Sequence, residues 1–240
     1  MTVLPDIGND PLAVWQDLLP PGEPVGVLSE HTFIARLPDG RRLVQPIRPL
    51  PGPGHLGVAS LIVNQASFEV EEALTEGLAR RLADCGIERV VAVPTLGLIA
   101  GRGVARALGH DRYVPLGTSR KFWYADDLSV EIRSITSPGQ AKRLYLDPRL
   151  VPLIQGRRVA LVDDVISSGS SILSALDLLS LVDVEVAAIG VLMAQSEAWR
   201  SRLAERHPGV ENRVVSVFET PLLRRVGDGW EPASPEPDGS

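Results

Sequence analysis

Apolar residues recur along this chain with two different periods, and these periods predict its secondary structure. Short apolar runs predict β-strands, and longer segments with apolar residues three and four positions apart predict helices. From residue 68 to residue 194 the two kinds of segment follow one another in turn. This succession predicts an α/β fold with a parallel sheet and helices on both faces. The predicted helices span 68–86, 98–109 and 170–182, and the predicted strands span 88–94, 112–117, 159–164 and 184–194.

The N-terminal residues follow a different pattern. Residues 10–19 have the spacing of a short amphipathic helix. Two apolar segments, GVLSEHTFIARL and RRLVQPIRPL, flank Pro38-Asp39-Gly40, which is typical of a β-hairpin turn. The segment PLPGPGHLG at 49–57 is a proline- and glycine-rich break, and GDGWEPASPEPDGS at the end of the chain has the composition of a disordered tail. We therefore expect an extension of helix and hairpin at 1–57, a main domain at 58–226 and a disordered tail at 227–240.

Composition narrows the functional classes. The chain has 240 residues, of which 44% are hydrophobic and 22% charged, as expected of a soluble globular protein. Its net charge of −6 argues against a general nucleic-acid binder. Cys85 is the only cysteine, which excludes disulfide frameworks and cysteine-based zinc sites. Since neither a signal peptide nor a membrane-spanning apolar run is found, we expect a cytoplasmic protein without a membrane partner.

One segment, VALVDDVISSGSS at 159–171, carries the strongest chemical signal. Its apolar strand ends at two acids, Asp163 and Asp164, and a loop of small residues at 167–171 then leads into a helix. Ligands of parallel sheets bind at the carboxyl ends of the strands. Backbone N–H groups at the start of a helix bind anions, whereas carboxylates suit hydroxyl groups or a metal ion. The segment therefore predicts a ligand with a phosphate at one end and a diol nearby, such as a ribose 5-phosphate.

Other interpretations of these residues have to be weighed. The serines could merely cap the helix at 170–182. A P-loop nucleoside triphosphatase would need a Gly-Lys pair in its phosphate loop, and the sequence contains none. Gly101-Arg102-Gly103 is not a dinucleotide fingerprint, because the next glycine, Gly109, falls too far along the chain. We interpret Gly101 and Gly103 as positions of close helix packing.

VALVDDVISSGSS resembles the 5-phosphoribosyl-1-pyrophosphate (PRPP) signature of type I phosphoribosyltransferases. Further segments agree in order and spacing, so that about 58–200 is similar to this family, and in particular to its xanthine and purine branch. The resemblance implies the family's open parallel β-sheet with helices on both faces. It also implies transfer of ribose 5-phosphate from PRPP to a nitrogenous base, expected to be a purine, with release of pyrophosphate. Mg²⁺ as cofactor and a homodimer are further expectations from the family.

The resemblance also implies residue roles for the sugar donor. Asp163 and Asp164 would hold the ribose hydroxyls, directly or through water bound to Mg²⁺. A second loop, in VPTLGLIAG at 93–101, is similar to the family's pyrophosphate loop, where a non-proline cis peptide is expected at Thr95-Leu96 or beside it. The residues implied for the 5-phosphate are Ser167, Ser168, Gly169, Ser170 and Ser171, and those implied for pyrophosphate are Thr95, Leu96, Gly97, Arg120 and Lys121.

The remaining roles concern the lid and the base. Residues 124–148 resemble the family's flexible lid, with SVEIRSIT expected as its two arms and Asp126 and Asp127 as plain loop charge. Asn64 would contact the base. Gln195 stands where related enzymes place a lysine that binds the six-position oxygen of a purine. Ser167 stands where some relatives place a carboxylate that acts as general acid or base. The departure at Gln195 leaves the identity of the base open, and a serine hydroxyl at 167 has no suitable pKa for the general acid or base role.

Two alternatives to a purine enzyme remain. Some transcription regulators keep this fold and its PRPP motif as a sensor without catalysis, but they need an added DNA-binding element. Residues 1–57 do not have the pattern of a helix-turn-helix, and the net charge is negative. The pyrophosphate and lid segments also favour an enzyme. A transferase acting on an unusual acceptor is the second alternative.

Overall fold

A computed structural model describes residues 16–52, 55–132 and 142–233 of the chain. Fourteen strands and four α-helices lie within these ranges. In chain order they are β1 (Asp17–Leu19), β2 (Gly26–Val27), β3 (Thr32–Arg36), β4 (Arg42–Pro49), β5 (Leu56–Ala59), α1 (Phe68–Leu82), β6 (Arg89–Ala92), α2 (Gly97–Ala107), β7 (Val114–Pro115), β8 (Ser129–Ile132), β9 (Lys142–Tyr145), β10 (Val159–Ile166), α3 (Ser170–Ser180), β11 (Val186–Gln195), α4 (Ala198–Arg206), β12 (Val214–Thr220), β13 (Leu222–Val226) and β14 (Gly229–Pro232).

Five of the described strands form a parallel sheet in the order β12-β11-β10-β6-β7, with β10 at its centre. Successive side chains of β10 point to opposite faces, as the strand period of two requires. Ala160 and Val162 pack in a core that includes side chains of α1 and α2. Val159 and Leu161 pack in a second core that includes side chains of α3 and α4. The predicted parallel sheet with helices on both faces is confirmed. Among the described helices, none combines the length and the apolar character needed to cross a bilayer.

Helix α1 begins and ends close to the predicted positions, because the local signals for both ends are strong. The side chain of Ser67 accepts a hydrogen bond from the N–H of Val70 at its N-terminus. Acidic residues occupy its first turn and arginines its last turn, which suits the helix dipole. The helix then tightens into a short 3₁₀ turn and stops at Gly86, whose φ is +62°.

Helix α2 packs directly against its neighbours through two glycines. A Cβ atom on Gly101 would lie 2.4 Å from the Cβ of Ala92 in β6. A Cβ atom on Gly103 would lie 2.6 Å from Thr75 in α1. Neither site can hold a larger residue without moving the helix, so the interpretation of these glycines as positions of close packing is confirmed.

A second, antiparallel sheet joins the two ends of the described chain. Its strand order is β14-β13-β5-β4-β3-β2, and β1 pairs with β4. The predicted hairpin is confirmed, since β3 and β4 pair around the turn at 38–40. Phe33, Leu43 and Trp230 of this sheet belong to the same core as α1 and α2. The antiparallel sheet therefore packs on one face of the parallel sheet.

Three expectations for the ends of the chain need correction. Within the predicted helix at 10–19, residues 17–19 form β1, since pairing with β4 satisfies their backbone groups and buries Leu19 against Ile34 and Val44. Residues 10–15 lie outside the described residues. The expected boundary between residues 57 and 58 falls inside β5.

The tail expected to be disordered from residue 227 instead contains β14. Trp230 explains this, because its ring lies so close to Gly57 that a Cβ there would come within 2.6 Å of it. Its indole N–H also donates to the carbonyl oxygen of Glu30. One buried tryptophan outweighs the polar composition around it. Residues 234–240 lie outside the described residues.

Candidate active site

Asp163 and Asp164 lie near the carboxyl end of β10, at the edge of the parallel sheet where the loops gather. Asp163 is only 6% exposed, and Asp164 is half-buried. The N–H of Asp164 donates to Oδ1 of Asp163 at 2.9 Å. Burial raises the pKa of both carboxyls, and the charge of Asp164 raises the pKa of Asp163 further. Hydroxyl donors or a cation would stabilise the ionised pair, so the geometry suits a diol or a hydrated metal ion.

The predicted phosphate loop lies beside this acid pair. Gly169 occupies the N-cap position of α3 with a φ of +76°, a conformation that favours glycine. The N-cap residue has no side chain, so no serine occupies the N-cap position of α3 itself. The hydroxyls of Ser168 and Ser170 are 3.0 Å apart. The N–H of Ser170 also donates to the hydroxyl oxygen of Ser168 at 3.4 Å. A cavity of about 140 Å³ is lined by Asp163 and by residues 165–172.

A second helix begins on the other side of the acid pair. Gly97 is the first residue of α2, and a Cβ atom there would lie 2.5 Å from Oδ1 of Asp163. Leu96 provides no side-chain cap for this helix. The Pro94–Thr95 peptide bond is cis, directly beside the Thr95–Leu96 bond, as predicted. The starts of α2 and α3 thus flank Asp163, and the contact of Gly97 with Asp163 was not predicted from the sequence.

Arg120 and Lys121 are exposed in the segment that follows β7. The guanidinium group of Arg120 pairs with Asp126 at 2.9 Å, and both side chains are more than half exposed. Asp126, expected to be plain loop charge, thus forms an exposed ion pair. An exposed pair of this kind contributes little to stability, so an anionic ligand could displace the carboxylate. The pyrophosphate role of Arg120 and Lys121 stays a prediction.

Gln195 and Asn64, the two residues predicted to contact the base, lie in contrasting surroundings. Gln195 ends β11, is 6% exposed, and donates from Nε2 to the carbonyl oxygen of Ala59 at 3.1 Å. A carbonyl oxygen only accepts, so this contact fixes the orientation of the amide. Gln195 thus ties the parallel sheet to β5. Asn64 is exposed in a short 3₁₀ helix just before α1, so its side chain is accessible to a ligand.

The lid segment requires a correction. Its two described arms are β8 and β9, which pair antiparallel with Ser129 opposite Tyr145. The second half of SVEIRSIT was expected to be the other arm, but KRLY at 142–145 takes that place. Strand pairing explains the choice, since it sets Glu131 opposite Arg143 and the apolar Val130 opposite Leu144. Residues 133–141 lie outside the described residues.

Comparison with known proteins identifies the family. The model of the phosphoribosyl transferase domain matches residues 65–220, which include the acid pair and both helix starts. The chain belongs to the phosphoribosyl transferase domain family. The predicted resemblance to its purine branch is also confirmed by named relatives.

Two relatives and one solved structure illustrate the similarity. A xanthine phosphoribosyltransferase from an Exiguobacterium species is 27% identical over 162 residues, which cover 65% of this chain and 80% of that protein. An adenine phosphoribosyltransferase from Novosphingobium aromaticivorans is 30% identical over 150 residues, covering 62% and 79%. The structure of an adenine phosphoribosyltransferase from Giardia lamblia, complexed with 9-deazaadenine, is 21% identical with a TM-score of 0.56, covering 72% of this chain and 93% of that one. The last comparison shows the shared fold.

Proposed function

We propose that this protein transfers ribose 5-phosphate from PRPP to a purine base and releases pyrophosphate. The observation that carries this proposal is the position of Asp163 beside the starts of both α2 and α3. PRPP has the complementary chemistry, since its two hydroxyls lie between a phosphate and a pyrophosphate. Membership of the phosphoribosyl transferase domain family and the names of the relatives support the same reaction.

Each group in the site has a distinct task in this reaction. Asp163 and Asp164 accept hydrogen bonds from the ribose hydroxyls and orient the sugar. The loop at 167–171 surrounds the 5-phosphate with the hydroxyls of its serines and the backbone N–H groups at the start of α3. The start of α2 faces the departing pyrophosphate with its positive dipole end. Because charge develops on both the sugar and the leaving group, positioning and electrostatic stabilisation supply the catalysis.

The acid pair also fits the Mg²⁺ ion that we include in the proposal. Carboxylate oxygens are the ligands that Mg²⁺ prefers, and two carboxylates leave most of its octahedral positions to the ligand and to water. In the part of the chain that the structure describes, no cluster of three or more His, Cys, Asp or Glu residues could hold a metal ion. PRPP, the sugar donor, would therefore carry the ion, and Asp163 and Asp164 would contact the ion directly or through water. When bound, Mg²⁺ would neutralise charge on the pyrophosphate.

A second candidate is a PRPP sensor without catalysis. The contact of Gln195 with Ala59 favours it, because the amide predicted to contact the base already has a partner within the protein. The two functions share the donor site and differ at the acceptor. Only turnover of a base separates them.

The decisive experiment incubates the protein with PRPP, Mg²⁺ and, in turn, adenine, hypoxanthine, guanine or xanthine, and measures pyrophosphate. We expect release that depends on one or more of these bases. Release without any base would indicate hydrolysis, and PRPP binding without turnover would favour the sensor.

A pair of variants then tests the site itself. Asp163→Asn with Asp164→Asn should abolish the PRPP binding measured by calorimetry. The control, Asp84→Asn with Asp183→Asn, changes two exposed carboxylates and should bind PRPP as the wild type does. Equal binding by both variants would refute the assignment of the acid pair.

A further inference from the structure

Trp199 lies close to two segments of the site, the phosphate loop at 167–171 and the turn that follows β11. It lies in the first turn of α4 and is 1% exposed. Its indole N–H donates to the carbonyl oxygen of Ser196 at 3.0 Å. Ser196 has a φ of +58°, which is uncommon for a residue other than glycine and costs on the order of 1 kcal/mol. The N–H of Ser196 donates to the carbonyl oxygen of Thr220 at 3.0 Å. Trp199 and Thr220 together hold the turn that follows β11.

The same tryptophan lies against the phosphate loop. A Cβ atom placed on Gly169 would lie 3.4 Å from the Cβ of Trp199, at ordinary contact distance. The guanidinium group of Arg200 covers the indole ring at 4.3 Å from its centre. Trp199 therefore lies close to Gly169 in the loop after β10, and it holds the turn after β11 with its indole nitrogen.

The turn after β11 is connected to the acceptor side of the site, that is, to the segment of Asn64, which is predicted to contact the base. Gln195 directly precedes Ser196, and its amide holds Ala59 at the end of β5. The chain continues from Ala59 to the short helix that carries Asn64. A shift of the turn at Ser196 would therefore move this segment relative to the phosphate loop. Transfer between two bound groups is sensitive to such shifts, since it needs the reacting atoms in near-attack geometry.

We propose that Trp199 is a positioning residue that fixes the turn at 195–197, and with it the acceptor side of the site, relative to the phosphate loop. The inference rests on the proposed function for its kinetic consequence. Its structural consequence can be measured without any activity.

The informative variant is Trp199→Phe. It keeps the Cβ atom beneath Gly169 and an aromatic ring, but removes the N–H that holds Ser196. We expect faster hydrogen–deuterium exchange at 195–198 and unchanged exchange at 167–171. We also expect the KM for the accepted purine to rise by at most about fivefold, the factor that corresponds to one net hydrogen bond within the protein, with the dissociation constant of PRPP within about twofold of the wild-type value.

Trp230→Phe is the matched control. Trp230 is also buried, and its N–H also donates to a backbone carbonyl, that of Glu30, but it lies in the antiparallel sheet. This variant should lower the melting temperature as much as Trp199→Phe while leaving exchange at 195–198 unchanged. The inference is overturned if Trp199→Phe leaves exchange at 195–198 unchanged, or if Trp230→Phe raises exchange at 195–198 equally. If the wild type turns over no purine, the proposed reaction fails, and the exchange experiment alone decides the role of Trp199.

Discussion

Two aspartates with almost the same exposure, Asp147 and Asp163, have pKa values shifted in opposite directions. Asp147 is 7% exposed and Asp163 is 6% exposed. Hydrogen bonds from the Arg149 side chain hold the pKa of Asp147 well below its usual range, helped by the indole N–H of Trp123. Deep burial and the neighbouring charge of Asp164 raise the pKa of Asp163 instead.

The difference lies in depth and in partners. Asp147 pairs at 2.6 Å with Arg149, whose own side chain is 69% exposed. Asp163 lies on β10, the central strand of the parallel sheet. None of the described ion pairs includes Asp163 or Asp164. A carboxylate that stabilises the fold has its cation within the protein, whereas one reserved for a ligand does not.

The largest expected effect comes from changing the buried acid pair, Asp163 and Asp164. Asp163→Asn with Asp164→Asn should weaken PRPP binding by more than about 100-fold, since two charge-assisted contacts are lost. The free energy of unfolding should not fall at pH 7. The raised pKa values make the folded state bind more protons than the unfolded state above the ordinary value of 3.8, so stability falls as pH rises through this window. Urea unfolding from pH 4 to pH 8 should show a smaller fall in the variant, and a large loss of stability at pH 7 would contradict the comparison.

Asp147→Asn should have the opposite signature. The lowered pKa means that this group stabilises the fold above 3.8 and that its contribution is lost as pH falls below that value. We expect a loss of about 1–2 kcal/mol at pH 7, limited by the exposure of Arg149, and a smaller loss near pH 2, where only part of the contribution remains. Urea unfolding at the two pH values measures this. Equal destabilisation at both would show that the lost charge is not the cause.

Gly97→Ala tests the close contact between the start of α2 and Asp163. The new methyl group would meet both Oδ1 and the Cα of Asp163, so the start of α2 must shift. We expect PRPP affinity to fall about tenfold, as for an overpacked contact. Gly229→Ala adds the same methyl group where the nearest atom is 3.8 Å away and should not change PRPP affinity. Calorimetry of both variants decides, and unchanged binding by Gly97→Ala would remove α2 from the site.

The smallest effect on stability is expected at the exposed pair of Arg120 and Asp126. Arg120→Ala should change the free energy of unfolding by less than about 0.5 kcal/mol, because solvent screens the pair. If the proposed pyrophosphate contact is correct, it should raise the KM for PRPP. Arg112→Ala, which removes a similarly exposed arginine paired with Asp111, provides the control. Equal kinetics of the two variants would exclude Arg120 from the site.

Much of the parallel sheet could be predicted because its signals are local. Each predicted strand and helix of this sheet has its own period, and α1 has a capping serine and charges that match its dipole. The acid pair and the phosphate loop could be placed together because they are adjacent within thirteen residues, 159–171. The partner of β8 in the segment predicted as a lid could not be found in this way, since β9 is selected by strand pairing and not by a local sequence pattern.

The sequence by itself determined the strands β6, β7, β10 and β11, the helices α1 to α3, the acid pair and the loop of small residues beside it, since neighbouring residues in one segment specify each of them. It did not predict α4 or the fifth strand of the parallel sheet, β12. The tertiary structure alone decided that Gly97 lies against Asp163, that Gln195 holds Ala59 from 136 residues away, and that Trp199 lies beneath Gly169. It also decided that both ends of the described chain share one antiparallel sheet. The physical reason is that such contacts depend on the packing of distant segments, where burial of one side chain such as Trp230 outweighs the local composition.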